Sequence, residues 1–483
     1  MRRSRKVKIL ATLGPSSNTE ETILQLFEAG ADVFRINMSH ASHDMMRRQV
    51  ERIRSVERSV GRPIGILADL QGPKLRVGTF AEGKVELEEG QIFTLDDDPT
   101  PGDANRVYLP HPEILEAVEA GHRLLINDGK LQLIAEKSDK RSITCKVVAG
   151  TLISDKKGVS LPDTELAVGA LTDKDRADLK AAIAAEVDWI AMSFVQRPED
   201  LIECRELSEG KAYILSKIEK PQALNRIDEI IELSDAIMVA RGDLGVEMPI
   251  QSVPGIQKRL TRLCRAAGKP VVVATQMLES MISDPMPTRA EVSDVAHAVF
   301  EGADAVMLSA ESAAGDYPVE AVTMMNDIAE TVEREPTYAG IITGQRAEPK
   351  QTTADAVSLA ARQMAETLDV ASIVTYTDSG ATGMRTARER PLVPIISLSP
   401  RIETARRLSL VWGCHCVVTE DANDLDDMVL RASRIAEAEE FAKPGDRIII
   451  VAGVPLRTRG STNMLRVARI GGERYRDLPE SDD

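Results

Sequence analysis

Short, continuous apolar runs recur along this chain, and they restrict its fold more than any other feature does. Three precede residue 71 and five follow residue 186, with helical segments between them. The runs span residues 7–13, 31–37, 64–70, 187–194, 212–218, 235–242, 270–276 and 303–310. Apolar runs without a polar face are typical of strands that helices cover on both sides. Eight such units predict an α/β fold, a (β/α)8 TIM barrel, with an open doubly wound sheet as the competing architecture.

The alternation of strands and helices stops between residues 71 and 168. Glycine-punctuated, alternating stretches such as KVELEEGQIFTL and SITCKVVAG occupy this segment, and they are typical of antiparallel strands. Loops at the carboxyl ends of barrel strands tolerate large insertions. We therefore expect residues 71–168 to form an inserted, antiparallel, β-barrel-like lid domain on a barrel of residues 1–70 plus 169–345.

A polar linker, TGQRAEPKQTT at residues 343–353, precedes the last part of the chain. Beyond it, helical segments alternate with the apolar runs SIVTYT, VPIISLS and RIIIVAG. This alternation predicts a third domain, a C-terminal α/β domain of residues 346–483.

Charge and cysteine content restrict the partners of the protein. With 60 basic and 76 acidic residues the net charge is −16, which argues against nucleic acid as the main partner. The five cysteines are scattered, as in a reduced cytosol, and the run Cys414-His415-Cys416 has no second pair of candidate metal ligands in view. No stretch approaches the roughly 20 apolar residues of a membrane span. We expect a cytoplasmic protein that does not contact membranes.

Polar residues end or directly follow six of the eight apolar runs. They are Arg35, Asn37, Ser39, Asp69, Lys217, Glu219, Arg241, Asp243, Thr275, Ser309 and Glu311. In a barrel of this kind the reacting groups lie at the carboxyl ends of the strands. We therefore expect these side chains to meet at one mouth of the barrel.

Lys217, Glu219 and Asp243 form the most informative group. Residues i and i+2 of an extended chain share a face, so Lys217 and Glu219 can enter one pocket side by side. Asp243, from the next strand, then supplies a hard oxygen ligand of the kind that Mg²⁺ prefers, with substrate and water completing the coordination. A surface salt bridge is the alternative interpretation, and the six polar strand ends weigh against it.

The glycines of RGDLG, residues 241–245, have two interpretations. They can simply allow a tight turn, or Gly242 can let backbone N–H groups at the start of a helix approach an anion. Arg35 and Arg76 add positive charge where a phosphorylated substrate needs it. Asp128 and Lys157 of the inserted segment are further candidates, although each alone is more typical of a solvated turn. A metal, arginines and a lysine around an anion indicate phosphoryl transfer. The sequence contains neither a Walker A motif nor the glycine loop of protein kinases.

Nine stretches of the sequence resemble motifs of the pyruvate kinase family. They are KILATLGPSS, VFRINMSH, ADLQGPKLR, DKKGVSLP, SKIE, MVARGDLG, ATQMLESM, PTRAEVSDVAHAV and MLSAESAAGDYPVEAV, distributed through residues 7–322. The last third of the chain is similar in outline and more weakly in motif. The resemblance implies transfer of the phosphoryl group of phosphoenolpyruvate to ADP, giving pyruvate and ATP, the last step of glycolysis.

The resemblance also implies a role for each matching residue. Lys217 would stabilise charge on the transferred phosphoryl group, while Glu219 and Asp243 would bind Mg²⁺, with Mn²⁺ as a substitute. Gly242 and Thr275 would bind the substrate carboxylate. Arg35 would bind the substrate phosphate, and the nucleotide side would comprise Asn37, Ser39, His40, Arg76 and Lys157. The family pattern places Thr275 and Ser309 near the proton relay to the enolate, and we expect an ordered water network because neither hydroxyl is acidic enough to act alone.

One departure from the family pattern concerns potassium. Potassium-requiring members carry Thr and Glu where this sequence has Leu70 and Lys74. An ammonium at Lys74 would fill the charge position that K⁺ occupies between Asn37, Ser39 and Asp69. The sequence thus resembles the subgroup with Lys in place of this Glu, and we predict activity without K⁺. The alternative is that Lys74 points to solvent and K⁺ still binds.

A second departure concerns regulation. Residues 375–388, TYTDSGATGMRTAR, resemble the effector phosphate loop of the family. Four of them would donate hydrogen bonds to one phosphate: Thr377, Ser379, Gly380 and Thr382. Asp378 stands where relatives activated by fructose 1,6-bisphosphate commonly have a cationic or neutral residue, and a carboxylate beside a doubly phosphorylated sugar is unfavourable. We predict an allosteric sugar-monophosphate activator, with Arg457 and Arg459 closing over it.

Two rival functions stay open at this point. Another phosphoenolpyruvate-handling barrel enzyme, a mutase or lyase, would share the metal carboxylates but would need neither the lid residue Lys157 nor ADP. A catalytically silent metabolite-binding regulator is the second rival, and the intact Lys217, Glu219, Asp243 and Thr275 weigh against it. The family resemblance further implies a homotetramer with C-terminal domains at one interface.

Overall fold

The computed structural model describes residues 2–455 and 462–471. The first part of the chain forms β1 (Lys8–Leu13), α1 (Glu20–Ala29), β2 (Val33–Asn37), α2 (His43–Val60) and β3 (Gly65–Asp69). Both ends of α1 follow from its sequence. The Thr19 hydroxyl accepts a hydrogen bond from the N–H of Thr22 at the start, and Gly30, with φ of 143°, ends the helix.

The segment after β3 is rich in β-strands, and we refer to residues 71–168 as the lid. Its elements are β4 (Lys84–Glu86), β5 (Ile92–Asp96), β6 (Arg106–Tyr108), α3 (Pro112–Ala117), β7 (Arg123–Ile126), β8 (Leu131–Ser138), β9 (Ser142–Ala149), β10 (Leu152–Ser154) and β11 (Val159–Ser160). Six strands form one sheet in the order β11-β7-β8-β9-β5-β6, and β4 pairs with β10. The pairing is antiparallel as predicted, except that β5 and β6 run parallel.

The chain returns to the barrel after the lid. The strands here are β12 (Trp189–Met192), β13 (Tyr213–Ile218), β14 (Ala236–Ala240), β15 (Val271–Ala274) and β16 (Ala305–Leu308). The helices are α4 (Asp173–Ala184), α5 (Pro198–Ser208), α6 (Pro221–Asn225), α7 (Ile227–Leu233), α8 (Arg241–Glu247), α9 (Val253–Ala267), α10 (Arg289–Phe300), α11 (Ala310–Ala313), α12 (Pro318–Arg334) and α13 (Pro336–Gly344). Three short 3₁₀ turns lie at Pro15–Ser17, Ile250–Ser252 and Glu279–Ile282.

Eight parallel strands close into a barrel in the order β1-β16-β15-β14-β13-β12-β3-β2. The predicted (β/α)8 barrel with an insertion after its third strand is therefore confirmed. Leu10 and Leu67 pack inside the barrel, whereas Ile9 and Ile66 pack between strands and helices. Because both faces of each strand are covered by apolar groups, the strands appear in the sequence as uninterrupted apolar runs.

The last part of the chain is a second α/β unit. It contains α14 (Thr353–Thr367), β17 (Ser372–Tyr376), α15 (Ala381–Arg388), β18 (Ile395–Ser399), α16 (Ile402–Leu408), β19 (Cys414–Val418), α17 (Leu425–Ala438), β20 (Arg447–Gly453) and β21 (Thr462–Arg469). The sheet order is β19-β18-β17-β20-β21, and only the β20–β21 pair is antiparallel. The predicted α/β domain is confirmed, although the sequence did not predict β19 or β21. Among the described residues, no helix is both long and apolar enough to cross a membrane.

Candidate functional site

Lys217 lies near the carboxyl end of β13, in the wall of a cavity at the mouth of the barrel. Its ammonium donates a hydrogen bond to the Ser193 hydroxyl at 2.7 Å, and it lies 2.8 Å from Glu219 Oε1 and 3.4 Å from Asp69 Oδ1. Burial alone would lower the pKa of Lys217, but the charges of Asp69 and Glu219 outweigh it, so the pKa is raised. Lys217 therefore keeps its positive charge at physiological pH.

Asp69, at the end of β3, connects Lys217 to a second cation. Arg35 Nε donates to Asp69 Oδ2 at 2.7 Å, and Arg35 Nη1 donates to the Thr12 hydroxyl at 3.1 Å. Burial would raise the pKa of the Asp69 carboxyl, but Lys217 and Arg35 hold this pKa below its ordinary value. One buried carboxylate thus holds two cations side by side in the wall of the cavity.

Glu219 and Asp243 line the same cavity. Glu219 directly follows β13, and Asp243 lies in the first turn of α8, which begins at Arg241 immediately after β14. Burial, and then the negative charge of Glu219, raise the pKa of Asp243 to about 6. The two carboxylates therefore repel each other, and a cation bound between them would remove this repulsion.

The cavity lies between the barrel mouth and the lid, and its volume is about 330 Å³. It brings together ten of the candidate residues predicted from the sequence: Arg35, Asn37, Ser39, Asp69, Lys74, Arg76, Asp128, Lys217, Glu219 and Asp243. Arg76, Asp128 and Gly158 belong to the lid. A Cβ atom on Gly129, at a turn of the lid, would lie 3.9 Å from Val246 in α8. The lid therefore covers the cavity on the side of α8.

Lys74 lines this cavity, but Asp69 is contacted by other cations. The ion-pair partners of Asp69 among the described residues are Arg35 and Lys217, and Lys74 is exposed. Burial, and then the charges of Arg76 and Lys174, lower the pKa of Lys74. Leu70, at the position associated with Thr in potassium-requiring relatives, is 2% exposed and packs in the apolar layer between the strands and helices of the barrel.

Seven of the residues predicted at the barrel mouth lie outside the lining of this cavity: His40, Lys157, Arg241, Gly242, Thr275, Ser309 and Glu311. The N–H of Gly242 donates to the Thr275 hydroxyl at 2.7 Å, and this hydroxyl donates to the carbonyl of Ala274 at 2.6 Å. Thr275 adopts a φ of 71°, which is unfavourable for a β-branched residue. Gly242 and Thr275 thus form one hydrogen-bonded pair next to Asp243.

The other residues of this set make local contacts, and Arg241 donates to Asp294 Oδ1 at 2.7 Å and to the carbonyl of Thr275 at 2.6 Å. The N–H of His40 donates to the carbonyl of Asn37 at 3.1 Å, and the His40 side chain is exposed. The N–H of Ser309 donates to Glu311 Oε2 at 2.7 Å. Lys157 precedes Gly158, which lines the cavity.

The predicted effector residues Thr377, Ser379, Gly380 and Thr382 lie at the amino end of α15. Gly380 adopts a φ of 89° and precedes the helix, and the Thr382 hydroxyl lies 2.9 Å from the Thr462 hydroxyl. The carbonyl of Ser379 accepts a hydrogen bond from the Tyr213 hydroxyl of β13 at 3.1 Å. Arg457 and Arg459 lie outside the residues that the structure describes.

Sequence reasoning missed two residues of the site, Ser193 and Phe194, which follow β12. The Ser193 hydroxyl accepts from Lys217 and also donates to the carbonyl of Leu70 at 2.8 Å. The backbone N–H of Phe194 donates to Glu219 Oε2 at 2.9 Å. A signal for Ser193 was available, because it is the polar residue near the end of the apolar run 187–194.

The described residues contain no group of three or more His, Cys, Asp or Glu side chains that could hold a metal ion. Mg²⁺ is usually bound by one or two carboxylates, and water and substrate phosphates complete its octahedral coordination. The Glu219–Asp243 pair fits this donor set. The Cys414-His415-Cys416 run lies in β19, where His415 Nε2 lies 2.9 Å from Glu439 Oε2, and it belongs to no such metal-binding group.

Comparison with known families agrees with this architecture. The family model described as "Pyruvate kinase, barrel domain" matches residues 4–322, and the one described as "Pyruvate kinase, alpha/beta domain" matches residues 355–468. The two models together match most of the chain, including the barrel, the lid and the C-terminal unit.

Individual proteins extend this similarity over nearly the whole chain. A pyruvate kinase from Methylorubrum extorquens is 61% identical over 474 residues, which cover 98% of this chain and 99% of the relative. One from Agrobacterium vitis is 46% identical and covers 98% of this chain and 100% of the relative. The crystal structure of a pyruvate kinase from Cryptosporidium parvum superposes with a TM-score of 0.91 at 33% identity, covering 96% of both chains. The chain therefore belongs to the pyruvate kinase family, and it is a phosphotransferase.

Proposed function

We propose that the cavity between the barrel mouth and the lid is the site where the phosphoryl group of phosphoenolpyruvate passes to ADP. The observation that carries this proposal is the position of Lys217, whose ammonium lies within 3.4 Å of two carboxylates in the cavity wall. In phosphoryl transfer the protein contributes mainly position and charge neutralisation. A fixed ammonium at this point neutralises charge on the transferred group, and then on the enolate oxygen, without moving a proton.

Glu219 and Asp243 would hold the divalent cation, Mg²⁺ with Mn²⁺ as a substitute. The pyruvate kinase family generally uses Mg²⁺, and the raised pKa of Asp243 supports a cation at this place. When bound, Mg²⁺ neutralises and polarises substrate oxygens. The protein keeps Glu219 oriented, because Lys217 contacts one of its carboxylate oxygens and the N–H of Phe194 donates to the other.

The substrate and the nucleotide would approach this centre from two sides. Arg35, which Asp69 holds in the cavity wall, would bind the substrate phosphate, and the Gly242–Thr275 pair would bind its carboxylate. The residues assigned to the nucleotide are Asn37, Ser39, His40, Arg76 and Lys157. Arg76 and Lys157 belong to the lid, so lid closure would bring them over ADP and exclude water as a competing acceptor.

The proton that converts the enolate to pyruvate would arrive through water near Thr275 and Ser309. The Thr275 hydroxyl donates to the carbonyl of Ala274 and accepts from the N–H of Gly242, so its own proton is already engaged. A threonine hydroxyl is also too weak an acid to act alone at neutral pH. An ordered water that this hydroxyl orients therefore suits the step better than direct donation.

We further propose that activity does not require K⁺. Leu70 supports this proposal because its buried, apolar side chain offers no oxygen to a cation. Lys74 adds a positive charge to the cavity that also contains Asn37, Ser39 and Asp69. An ammonium in the cavity supplies charge that a monovalent ion would otherwise supply.

The C-terminal unit would regulate the enzyme by binding a sugar monophosphate at the amino end of α15. Thr382 and the backbone of Gly380 support the proposal because hydroxyl and N–H groups there can donate to a phosphate. Asp378 opposes a second phosphate near this loop. We also propose a homotetramer and a cytoplasmic location, in keeping with the family resemblance.

A coupled assay of pyruvate release from phosphoenolpyruvate tests the proposed site. The wild type should need both ADP and a divalent cation, and Lys217→Met should lower turnover by at least about 100-fold, as expected for loss of a strong electrostatic stabiliser. Lys211→Met, which removes an exposed lysine paired with Glu209, is the matched control and should leave turnover unchanged. ADP-independent pyruvate release, or full activity of Lys217→Met, would contradict the proposal.

A further inference from the structure

Phe194 touches the proposed metal site through its backbone. Its N–H donates to Glu219 Oε2 at 2.9 Å, while Lys217 contacts Oε1 of the same carboxylate at 2.8 Å. Each oxygen of Glu219 therefore has a different partner, and the two partners together fix the plane of the carboxylate. Loss of either one would let the carboxylate rotate about its last side-chain bond.

The ring of Phe194 belongs to the lid, although the residue itself follows barrel strand β12. It is 7% exposed and is part of the hydrophobic cluster of the lid, which includes Val159, Leu161 and Leu166. The ammonium of Lys220 lies 4.5 Å from the ring centre. Lys220 is itself buried and paired with Glu247 of α8, so the ring is held from the barrel side as well.

The segment around Phe194 lies between the two connections that join the lid to the barrel. On the entering connection, a Cβ on Gly72 would lie 3.1 Å from Ser193 Cβ and 3.3 Å from Phe194 Cβ. On the returning connection, the Gln196 side chain exchanges hydrogen bonds of 3.4 Å with the backbone of Leu166. Movement of the lid therefore acts on this segment at both connections.

The backbone of Phe194 is also strained. Its φ is 63°, a left-handed conformation that bulky residues rarely adopt. Such a conformation is unfavourable and persists only where the surroundings enforce it. In this conformation the N–H reaches Glu219 while the ring is in the lid, so one strained residue satisfies both contacts.

We propose that Phe194 is a positioning residue that couples the lid to the metal-binding carboxylate of Glu219. Its ring is anchored in the hydrophobic core of the lid, and its N–H sets the orientation of Glu219. When the lid moves, the orientation of the carboxylate changes, so that divalent-cation affinity and lid position depend on each other. The proposal rests on the assignment of Glu219 as a metal ligand made above.

Direct Mn²⁺ binding to the resting enzyme, followed by electron paramagnetic resonance of the free ion, tests this coupling. Phe194→Ala keeps the N–H but removes the anchor, and it should raise the Mn²⁺ dissociation constant by about 10- to 100-fold, as for loss of a ligand-orienting contact. Phe194→Leu keeps an apolar anchor and should bind Mn²⁺ nearly as the wild type does. Should Phe194→Ala not fold, Phe194→Gly serves instead, because glycine adopts a positive φ without strain.

Phe93→Ala is the matched control. Phe93 is fully buried in the same cluster of the lid, on β5, where its backbone pairs with Cys145 of β9. Phe93→Ala removes the same side-chain volume from the lid core as Phe194→Ala does. A purely structural effect would therefore weaken Mn²⁺ binding in Phe93→Ala as well. Equal losses in the two alanine variants, or unchanged affinity in Phe194→Ala, would overturn the coupling. Unchanged Mn²⁺ affinity in Glu219→Gln would instead overturn the assignment of Glu219 as a metal ligand. This variant therefore distinguishes failure of the proposed metal site from failure of the coupling.

Discussion

Replacing Ser193 with alanine should show how much of the action of Lys217 depends on its position rather than on its charge. The Ser193 hydroxyl accepts from Lys217 at 2.7 Å and donates to the carbonyl of Leu70 at 2.8 Å. The ion pairs of Lys217 with Asp69 and Glu219 persist in the variant, so the ammonium stays charged. A hydrogen bond to a charged group contributes about 1.5–3 kcal/mol. About 1.4 kcal/mol corresponds to a factor of ten in rate. If the whole contribution of this hydrogen bond is lost in the transition state, kcat should fall by about 10- to 150-fold.

The assay is the initial rate of pyruvate release at saturating phosphoenolpyruvate and ADP. Ser193→Thr keeps a hydroxyl and should retain most of the turnover. Ser208→Ala is the matched control, because Ser208 is also buried and donates to the carbonyl of Arg205, away from the cavity. A Ser193→Ala enzyme with kcat within about twofold of the wild type would refute the reasoning, since the hydrogen bond would then contribute nothing to transition-state stabilisation.

Turnover in potassium-free and sodium-free buffer should change little on addition of KCl, because the side chain of Leu70 offers no oxygen and Lys74 adds charge to the cavity. Strong activation by KCl would contradict this prediction. Burial lowers the pKa of His415 from 6.5 to about 4. Between these pH values His415 binds a proton in the unfolded chain but not in the folded chain, so this one residue should lower the free energy of unfolding by about 3 kcal/mol on acidification. His415→Phe should therefore show a smaller drop in melting temperature from neutral pH to about pH 4.5, and equal drops would refute the assignment. Thr382→Val should weaken activation by sugar monophosphates, measured as the shift in half-saturation by phosphoenolpyruvate; activation by a bisphosphate alone would contradict the effector proposal.

The barrel could be predicted from the sequence because its strands are buried on both faces. Each predicted apolar run contains its strand but is longer than the strand. The run 235–242, for example, covers β14 and also the first two residues of α8. The helix begins directly at Arg241, and no turn residue separates it from the strand. Apolar content alone therefore locates the strands and not their ends.

Two strands of the C-terminal unit were missed for physical reasons. The sequence of β19, CHCVV, contains a histidine and two cysteines, and only its burial in the fold shows that these behave as core residues. The edge strand β21 carries two arginines, and six of its eight residues are exposed or half-buried, so it lacks the apolar character of a buried strand. The parallel β5–β6 pair of the lid depends on chain connections that local patterns do not encode.

The candidate site could be predicted in part. Lys217, Glu219 and Asp243 were identified because polar residues at strand ends stand out against apolar runs. The contact of Phe194 with Glu219 could not be predicted, because a backbone N–H carries no residue signature and a phenylalanine in an apolar run indicates only burial. Its place in the core of the lid became evident only from the three-dimensional packing.

We propose above all that Glu219 and Asp243 together hold the divalent cation beside Lys217. Titration of Mn²⁺ into the resting enzyme, with the bound ion counted directly, tests it in the wild type, Glu219→Gln and Asp243→Asn. Glu51→Gln, which removes an exposed carboxylate of α2, controls for the change in net charge. Both site variants should lose at least about tenfold in Mn²⁺ affinity, whereas Glu51→Gln should not. Wild-type affinity in either site variant would contradict it.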